Sequence, residues 1–428
     1  MLAPNYRTPY SFQLNVGVQR QLGPRTALTV DYVRNVGLHY LVGIDTNRVG
    51  AARFLDKAAA LSTISLTNEA FECGTGTDSA SIECAIGHGA TIADYASFGM
   101  DSGISLTSGF PCGGACAFPG ANTNLGQNQM LFPIGRSVYN GLLFSLKSDL
   151  GNPLPGIKRV NLVASYALSR FKGLARDQDF INNATDFDRP LSFFGPTALD
   201  RTHQVGVGAV IDFPLAMRVA VATKWGTASP RTLTLPNSGL PGEIFRTDIT
   251  GDGTVEDVLP GTNVGAFGRD TRVGDLNAVL TNYTSTAAGR LTPAGQALVS
   301  AGLFTADQLK RLGGVTPRLA LAPNGQVGVS PFFTFDVHIS WVLRPSRLWS
   351  NVPEVITIEP KVAIFNLFNF QNFDPGGNPI SGSLTGLPGS VNGTTRDKRS
   401  NLVAPGSASG VNWYGVPRQV EFGIKITF

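Results

Sequence analysis

An acidic stretch with the sequence DITGDGTVED is the strongest candidate for metal chemistry in this chain. Asp248, Asp252 and Glu256 stand at positions 1, 5 and 9 of a calcium-loop spacing. Gly253 occupies position 6, where such a loop turns sharply, but position 12 is Leu259 instead of a bidentate glutamate. The stretch therefore predicts either a calcium-binding loop or a tight Asp-Gly turn without a metal. Apart from this calcium ion, no cofactor is expected.

Four cysteines lie in one long segment between predicted strands: Cys73, Cys84, Cys112 and Cys116. An even number of cysteines in one segment favours disulfide bonds in an oxidising compartment. Proximity in sequence suggests the pairs Cys73–Cys84 and Cys112–Cys116, although three pairings are possible. The alternative, a metal knuckle at CGGAC, has no further ligand to complete it. We expect small disulfide loops that order a surface segment.

The remaining candidate residues give no indication of catalysis. The histidines are scattered along the chain, without an HxxxH or a His–Cys spacing, so no zinc site is expected. They are His39, His88, His203 and His338. Phosphate-binding Walker loops, GxSxG motifs and dinucleotide fingerprints are absent from the sequence. The sequence predicts a protein that is not an enzyme, and the net charge of +4 gives no reason to expect a nucleic-acid partner.

Alternating apolar and polar residues define the elements that must position these groups. In the last segment, Val420, Phe422 and Ile424 fall on one face, and Glu421 and Lys425 fall on the other. Roughly nine segments of about 9–14 residues show this pattern, a length that crosses a bilayer as tilted strands. The others are SFQLNVGVQRQL, TALTVDYVRN, YNGLLFSLKSDL, RVNLVASYALSRF, HQVGVGAVIDF, MRVAVATKWG, FFTFDVHISWVL and EVITIEPKVAIFNLF.

The lengths of the connections separate a soluble β-sandwich from a membrane barrel. Only 15% of the residues are charged, against about 25% in an ordinary soluble domain. Short connections alternate with very long ones, as in outer-membrane barrels whose long loops lie outside the cell. The short ones are 23–25, 151–156, 214–216 and about 345–353, and the long ones are about 42–136, 172–199, 230–330 and 369–414. We therefore expect an all-β, antiparallel transmembrane barrel with a periplasmic carboxy terminus.

Two short helices are predicted within the third long connection. Thr292, followed by proline, and Thr305, followed by Gln308, are helix-start signals, and Gly313 with Gly314 forms a stop signal. The apolar residues of these helices are expected to pack on each other and on the barrel rim. These residues are Leu298, Leu303, Phe304, Leu309 and Leu312.

Several motifs, taken in order from about residue 160 to the end, resemble the Oar-like branch of TonB-dependent outer-membrane receptors. They are SYALSRFKG (165–173), DRTHQVGVGAVIDFP (200–214), GDGTVEDVLPG (251–261), LTPAGQALVSAGLFTADQLKRLGG (291–314) and FNLFNFQNF (365–373). The resemblance implies a barrel of about 22 strands, preceded by a carboxypeptidase-regulatory-like domain and by a plug domain with the TonB box.

This sequence shows neither a plug nor a signal peptide, so we expect residues 1–428 to be the carboxy-terminal part of such a barrel. Phe428 occupies the position of the terminal aromatic residue that the barrel assembly machinery reads in proteins of this kind. The resemblance implies a receptor-transporter that takes up a large or carbohydrate-like ligand. Its barrel is expected to contact outer-membrane lipid, and TonB is expected to act on it only through the missing plug. The alternative is a surface adhesion barrel without transport activity.

The charges of the last two predicted strands restrict their pairing. Two antiparallel registers join opposite charges: Glu359 opposite Lys425, or Lys361 opposite Glu421. Such a cross-strand pair contributes about 0.2–1 kcal/mol, whereas a lysine facing lipid at mid-membrane costs roughly 2–4 kcal/mol. We therefore expect these charges to face the barrel interior, with Phe422 and its alternate neighbours in lipid.

Overall fold

The computed structural model describes the chain except for residues 102–115, 175–181, 198, 229, 231, 268–271, 322–330, 348–350, 352, 354 and 371–417. Its principal element is one mainly antiparallel β-sheet of 11 strands. The all-β class predicted from the alternating segments is confirmed.

Nine long strands follow one another across the sheet in chain order, each antiparallel to its neighbours. They are β1 (Tyr10–Gly23), β2 (Thr26–Asp45), β3 (Gln129–Leu154), β4 (Ile157–Gly173), β7 (His203–Asp212), β8 (Met217–Gly226), β9 (Phe332–Trp341), β10 (Thr357–Phe365) and β11 (Gln419–Thr427). Two short strands lie beside this path: β5 (Asn182–Asn183) is parallel to β2, and β6 (Gly195–Pro196) is antiparallel to β4. This up-and-down order explains why short and long connections alternate.

The pairing of β10 with β11 follows one of the two registers expected from their charges. Glu359 lies opposite Lys425, and Lys361 lies opposite Gly423. A Cβ atom at Gly423 would lie 2.7 Å from Cε of Lys361, so the glycine leaves room for the lysine stem on that face. Of the two registers, the structure therefore has the one with Glu359 and Lys425 as partners.

The sheet is open in the described part of the chain. Its strand order begins at β1 and ends at β11, and no pairing joins these two strands there. Apolar side chains on both are strongly exposed: Phe12 is 59% exposed, and Phe422 is 81% exposed. An open sheet of about nine long strands agrees with the expectation that the chain forms part of a larger barrel.

The long connections carry helices, as expected, but more than the two that the sequence predicts. The helices are α1 (Lys57–Ala70), α2 (Ser79–Gly87), α3 (Ile92–Tyr95), α4 (Val273–Thr286), α5 (Pro293–Ser300) and α6 (Ala306–Arg311). The predicted pair is α5 and α6, which begin after Thr292 and Thr305; both threonine side chains accept hydrogen bonds from backbone N–H groups. Among the described residues, no helix has the length and apolar character needed to cross a membrane.

Two of the long connections fold together into what we call the loop layer, the described part of residues 46–128 and 227–321. Its main hydrophobic cluster contains Ile64 and Tyr95 from the first connection, and Phe245 and Leu298 from the second, all with at most 2% exposure. Phe304 meets Tyr95 edge-on, with ring centroids 5.3 Å apart. The expectation that the apolar residues of α5 and α6 pack on each other is confirmed, since they share this cluster. The expectation that they pack on the barrel rim is wrong, because the other residues of the cluster belong to the loop layer.

Candidate functional site

Four buried aspartates meet where two of the long connections touch. Asp248, Asp252 and Asp257 belong to the β8–β9 connection, and Asp186 belongs to the β4–β7 connection. None of the four is more than 3% exposed. The site therefore includes two predicted residues, Asp248 and Asp252, and two that the sequence did not single out.

Backbone N–H groups hold most of these carboxylates in place. Asp248 accepts hydrogen bonds from Gly251 N and from Gly253 N, the latter at 3.0 Å. Asp257 accepts from Ile249 N at 2.9 Å and from Thr250 N at 3.0 Å. This is the local chemistry of a tight turn, in which short acidic side chains satisfy the N–H groups of their own loop.

A close approach between the two loop-layer connections requires glycine in the turn. Gly253 has a φ of 93°, in the left-handed region, and a Cβ atom there would overlap the Val49 carbonyl oxygen. Next to it, Ala52 N donates a hydrogen bond of 3.0 Å to Gly251 O. The Asp-Gly motif thus serves packing between the connections as well as the turn itself.

Burial raises the pKa of several of these carboxyl groups. The pKa of Asp257 rises to about 6, first because of burial and then because of the nearby Asp252. Burial raises the pKa of Asp248 well above its ordinary value, with Asp257 and Asp252 adding to the effect. Burial also raises the pKa of Asp186, and the neighbouring Asp252 contributes. The cluster is therefore a place where negative charge is unfavourable unless a proton or a cation compensates it.

Two of the three residues of the predicted calcium loop lie in this cluster. Asp248 and Asp252 lie in the cluster, whereas Glu256 is half-buried on the same turn, with its own N–H donated to Thr247 Oγ1 at 3.2 Å. Within the described ranges, no three carboxylates bring oxygen atoms within 4.8 Å of one another. Calcium binding would need these side chains to move closer, and it stays a prediction.

The β4–β7 connection is tied to both loop-layer connections at this point, which we call the three-loop junction. Phe187 N donates to Asp252 Oδ2, and Thr254 Oγ1 donates to Thr185 O at 3.3 Å. Asp188 forms ion pairs with Arg48, at 3.1 Å, and with Arg53. The hydrogen bond from Arg53 holds the pKa of Asp188 below its ordinary value.

The first pair of cysteines lies elsewhere in the loop layer. Cys73 and Cys84 form a disulfide with an S–S distance of 2.00 Å, linking the segment after α1 to α2. Nδ1 of His88 lies 3.4 Å from Cys73 Sγ. The suggested partner pair includes Cys112, which lies outside the described residues.

Sequence reasoning missed the grouping of His88 with these cysteines. The spacing from Cys84 to His88 is four residues, which places both on one side of a helix. That spacing was the available signal, and the statement that no His–Cys spacing exists is wrong.

The predicted assembly signal lies at the exposed end of the sheet. Phe428 follows directly after β11 and is 90% exposed. Its face is that of Phe422 and Ile424, in keeping with the alternation of the strand. Its recognition by an assembly factor stays a prediction.

Comparisons with known proteins address the chain as a whole. A family model described as an outer membrane beta barrel domain matches residues 1–401. Among solved structures, the outer membrane transporter YddB from Escherichia coli is similar, with a TM-score of 0.38 and 10% sequence identity over 86% of this chain. The chain spans 30% of the length of that transporter. No curated protein matches the sequence.

Proposed function

Since the chain belongs to the outer membrane beta barrel domain family, we propose that it is the barrel segment of a TonB-dependent receptor-transporter of the Oar-like class. Family membership assigns it to the outer membrane. In this proposal the sheet contacts lipid, and the loop layer faces the outside of the cell and binds the ligand before uptake. No catalytic step is proposed.

The observation that carries this proposal is the loop layer. Long connections without a role are uncommon in compact proteins, and binding residues concentrate on loops held by a rigid scaffold. Here two connections share one buried core, and the three-loop junction joins a third. A prefolded outer surface of this kind is suited to recognising a ligand, because little conformational entropy is lost when the ligand binds.

The polar face of the first strands supports a hydroxyl-rich ligand. On β1 and β2, Gln13 lies opposite Asn35, and Gln19 lies opposite Thr29. Ser145 lies opposite Ser165 on β3 and β4. These amide and hydroxyl groups can donate hydrogen bonds to sugar hydroxyls and accept hydrogen bonds from them. Asp31 and Lys147, on the same face, add one charge of each sign. We therefore propose a large or carbohydrate-like ligand.

Energy coupling and assembly would need further partners. In the proposal, TonB acts through a plug domain that carries the TonB box, and the barrel assembly machinery recognises Phe428. Bilayer lipid covers the apolar strand faces, including Phe422 and Ile424, which are 81% and 70% exposed.

The orientation of the chain is part of the proposal and has a direct test. Leu240, in the loop layer, is 54% exposed, and Leu215, in the short β7–β8 connection, is 75% exposed. Single Leu240→Cys and Leu215→Cys variants would be treated on intact cells with a membrane-impermeant maleimide. We expect labelling of the first variant only, with the second labelled after lysis. The opposite pattern would invert the orientation.

Transport and adhesion are separated by their dependence on TonB. Cells carrying the natural gene would be given a panel of fluorescent oligosaccharides, with and without functional TonB. We expect surface binding in both cases and accumulation inside the cell only with TonB. Surface binding without any TonB-dependent accumulation would favour the alternative, an adhesion barrel in which the loop layer alone acts.

A further inference from the structure

Three side chains in the loop layer come together in a way that the transport proposal does not use. Cys73, Cys84 and His88 bring their ligand atoms within 4.8 Å of one another, the one such group of histidine, cysteine and acidic residues in the described part of the chain. Sulfur and imidazole nitrogen are the ligands preferred by zinc and related ions.

Local structure explains why the three residues meet. Cys84 lies on α2, and His88 caps the same helix, with its N–H donated to Cys84 O at 3.0 Å. Residues four apart on a helix share one side, so both side chains face the segment that follows α1. There Cys73 is held by a hydrogen bond of 2.8 Å from its N–H to Asn68 O. The backbone of both segments thus positions the group independently of the S–S bond.

We propose that reduction of the Cys73–Cys84 disulfide converts this group into a Cys2His site for a thiophilic metal ion such as Zn²⁺. Two thiolates and one imidazole supply three ligands, and the fourth tetrahedral position stays open for water or another ligand. The proposal does not depend on the transport function.

The disulfide is reduced by an external dithiol, which supplies both electrons. One thiolate of the dithiol attacks a sulfur of the disulfide, the S–S bond breaks, and the other cysteine leaves as a thiolate. The second thiol of the reductant then displaces the first cysteine, so the reductant becomes a disulfide and the protein gains two thiols. Zinc binding displaces the two thiol protons, because only thiolates are ligands.

His88 must change its hydrogen bonding when the metal binds. Its Nδ1 lies 2.7 Å from Phe71 O, and because a carbonyl oxygen only accepts, Nδ1 carries the proton in the disulfide form. Coordination through Nδ1 moves that proton to Nε2 and presents the Nδ1 lone pair to the metal. Because this lone pair lies where the N–H now points at Phe71 O, the ring must also turn away from that carbonyl towards Cys73 Sγ, which lies 3.4 Å from Nδ1.

Both the reductant and the metal can reach the group from solvent. His88 is exposed, and the two cysteines are half-buried. Cys73 also packs against the main cluster of the loop layer. A bound metal would therefore restore the link between α1 and α2 that reduction removes, so the order of this part of the loop layer would depend on the metal under reducing conditions.

The test uses the full chain in detergent, with Cys112→Ser and Cys116→Ser in all samples so that the other cysteines bind no metal. Co²⁺ is the probe, because thiolate-to-cobalt absorption reports bound cysteine directly. A phosphine reduces the disulfide, taking oxygen from water to form the phosphine oxide while both sulfurs gain protons. We expect one Co²⁺ per reduced chain, displaced by Zn²⁺, and no thiolate band from the oxidised chain.

The variants assign the band to the three residues. His88→Ala should weaken Co²⁺ binding by at least about tenfold, and the matched control His338→Ala should leave it unchanged. Cys73→Ser should remove most of the thiolate band. Circular dichroism of each reduced variant checks that the loop helices persist. A reduced chain without a thiolate band, or a band unaffected by His88→Ala, would overturn the proposal.

Discussion

The sheet and the loop layer keep their apolar side chains in opposite places. On the sheet, Phe12, Phe422 and Ile424 are 59%, 81% and 70% exposed. In the loop layer, Tyr95 and Leu298 are completely buried. One chain thus contains a region that needs an apolar solvent and a region that forms its own core in water.

This difference indicates that the two regions are stabilised in different surroundings, the sheet by lipid and the loop layer by its own core in water. The sheet satisfies its backbone groups through strand pairing, which an apolar environment requires, and its apolar face is stabilised only where lipid covers it. The loop layer buries apolar surface between its own helices, as a small soluble domain does. We therefore expect substitutions in one region to leave the other largely unaffected.

The largest expected effect comes from emptying the core of the loop layer. Leu298→Ala should destabilise that region by about 2–5 kcal/mol, because a cavity forms in a fully buried cluster. Hydrogen exchange of α1 and α5 in the detergent-solubilised protein would measure the loss.

Leu240→Ala is the matched control, because Leu240 lies in the same layer but is 54% exposed. The migration of the protein on unheated gels should be the same in both variants, because neither substitution touches the sheet. Equal hydrogen exchange of α1 and α5 in the two variants would show that Leu298 does not belong to a stabilising core.

A lysine on the apolar face of the sheet should produce the next largest effect. Ile424→Lys should lower the free energy of unfolding in lipid vesicles by about 2–4 kcal/mol, since the charge would face lipid near mid-membrane. Glu421→Lys, on the opposite face of the same strand, is the control and should change stability much less. If both variants lost the same amount, the assignment of the two faces would be wrong.

The three-loop junction should respond to pH in a defined direction. The folded pKa of Asp257 is about 6, above its ordinary value, so the folded loop binds the proton more tightly than the unfolded loop. The stability that protonated Asp257 contributes to the folded loop is fully present below about pH 4 and is lost as the pH rises through about 6. The loss is at most on the order of 3 kcal/mol.

Hydrogen exchange of residues 247–259 between pH 4 and pH 7 would measure this loss. Asp257→Asn should reduce the change in the stability of residues 247–259 between pH 4 and pH 7. The protection of α1 against hydrogen exchange should stay the same. A junction that grows more stable as the pH rises would contradict the sign of the effect.

Calcium offers a second way to compensate the same carboxylates. If calcium binds, titration at neutral pH should release or absorb heat, and Asp252→Ala should abolish the signal. Absence of heat with the unmodified protein would remove the calcium hypothesis and leave the turn interpretation.

The smallest expected effect concerns the cap of α6. Thr305 Oγ1 accepts from Gln308 N at 3.1 Å, and Gln308 Oε1 accepts from Thr305 N at 2.9 Å. Thr305→Ala should cost about 1 kcal/mol of local stability, since one backbone donor loses its partner. Ser285→Ala, at the exposed end of α4, is the control. Local exchange of α6 that matched between the two variants would show that the cap contributes nothing.

The strands of the sheet could be predicted from the sequence, because side chains alternate along a strand with a period of two whatever lies next to it. Even the register of the last hairpin was limited to two choices by Glu359, Lys361, Glu421 and Lys425, and the structure has one of them. Helices α5 and α6 were predicted for the same reason, since their threonine caps lie within the segments themselves.

Helix α4 was missed although its pattern is local. Leu276, Leu280 and Tyr283 are buried at a spacing of four and then three residues, which is a helical period. Thr281 and the two asparagines between them, together with Gly274, lower the helical propensity of the segment. Tertiary packing of the buried side outweighed that propensity.

What only the tertiary structure decided is which distant segments meet. Asp186 joins Asp252 across more than sixty residues, and Cys73 meets His88 although the two lie in different segments. No local period encodes such contacts, because they depend on how the helices of two connections share one core. By itself the sequence therefore determined the strands and where they turn, while the fold of the loop layer decided which side chains form its sites.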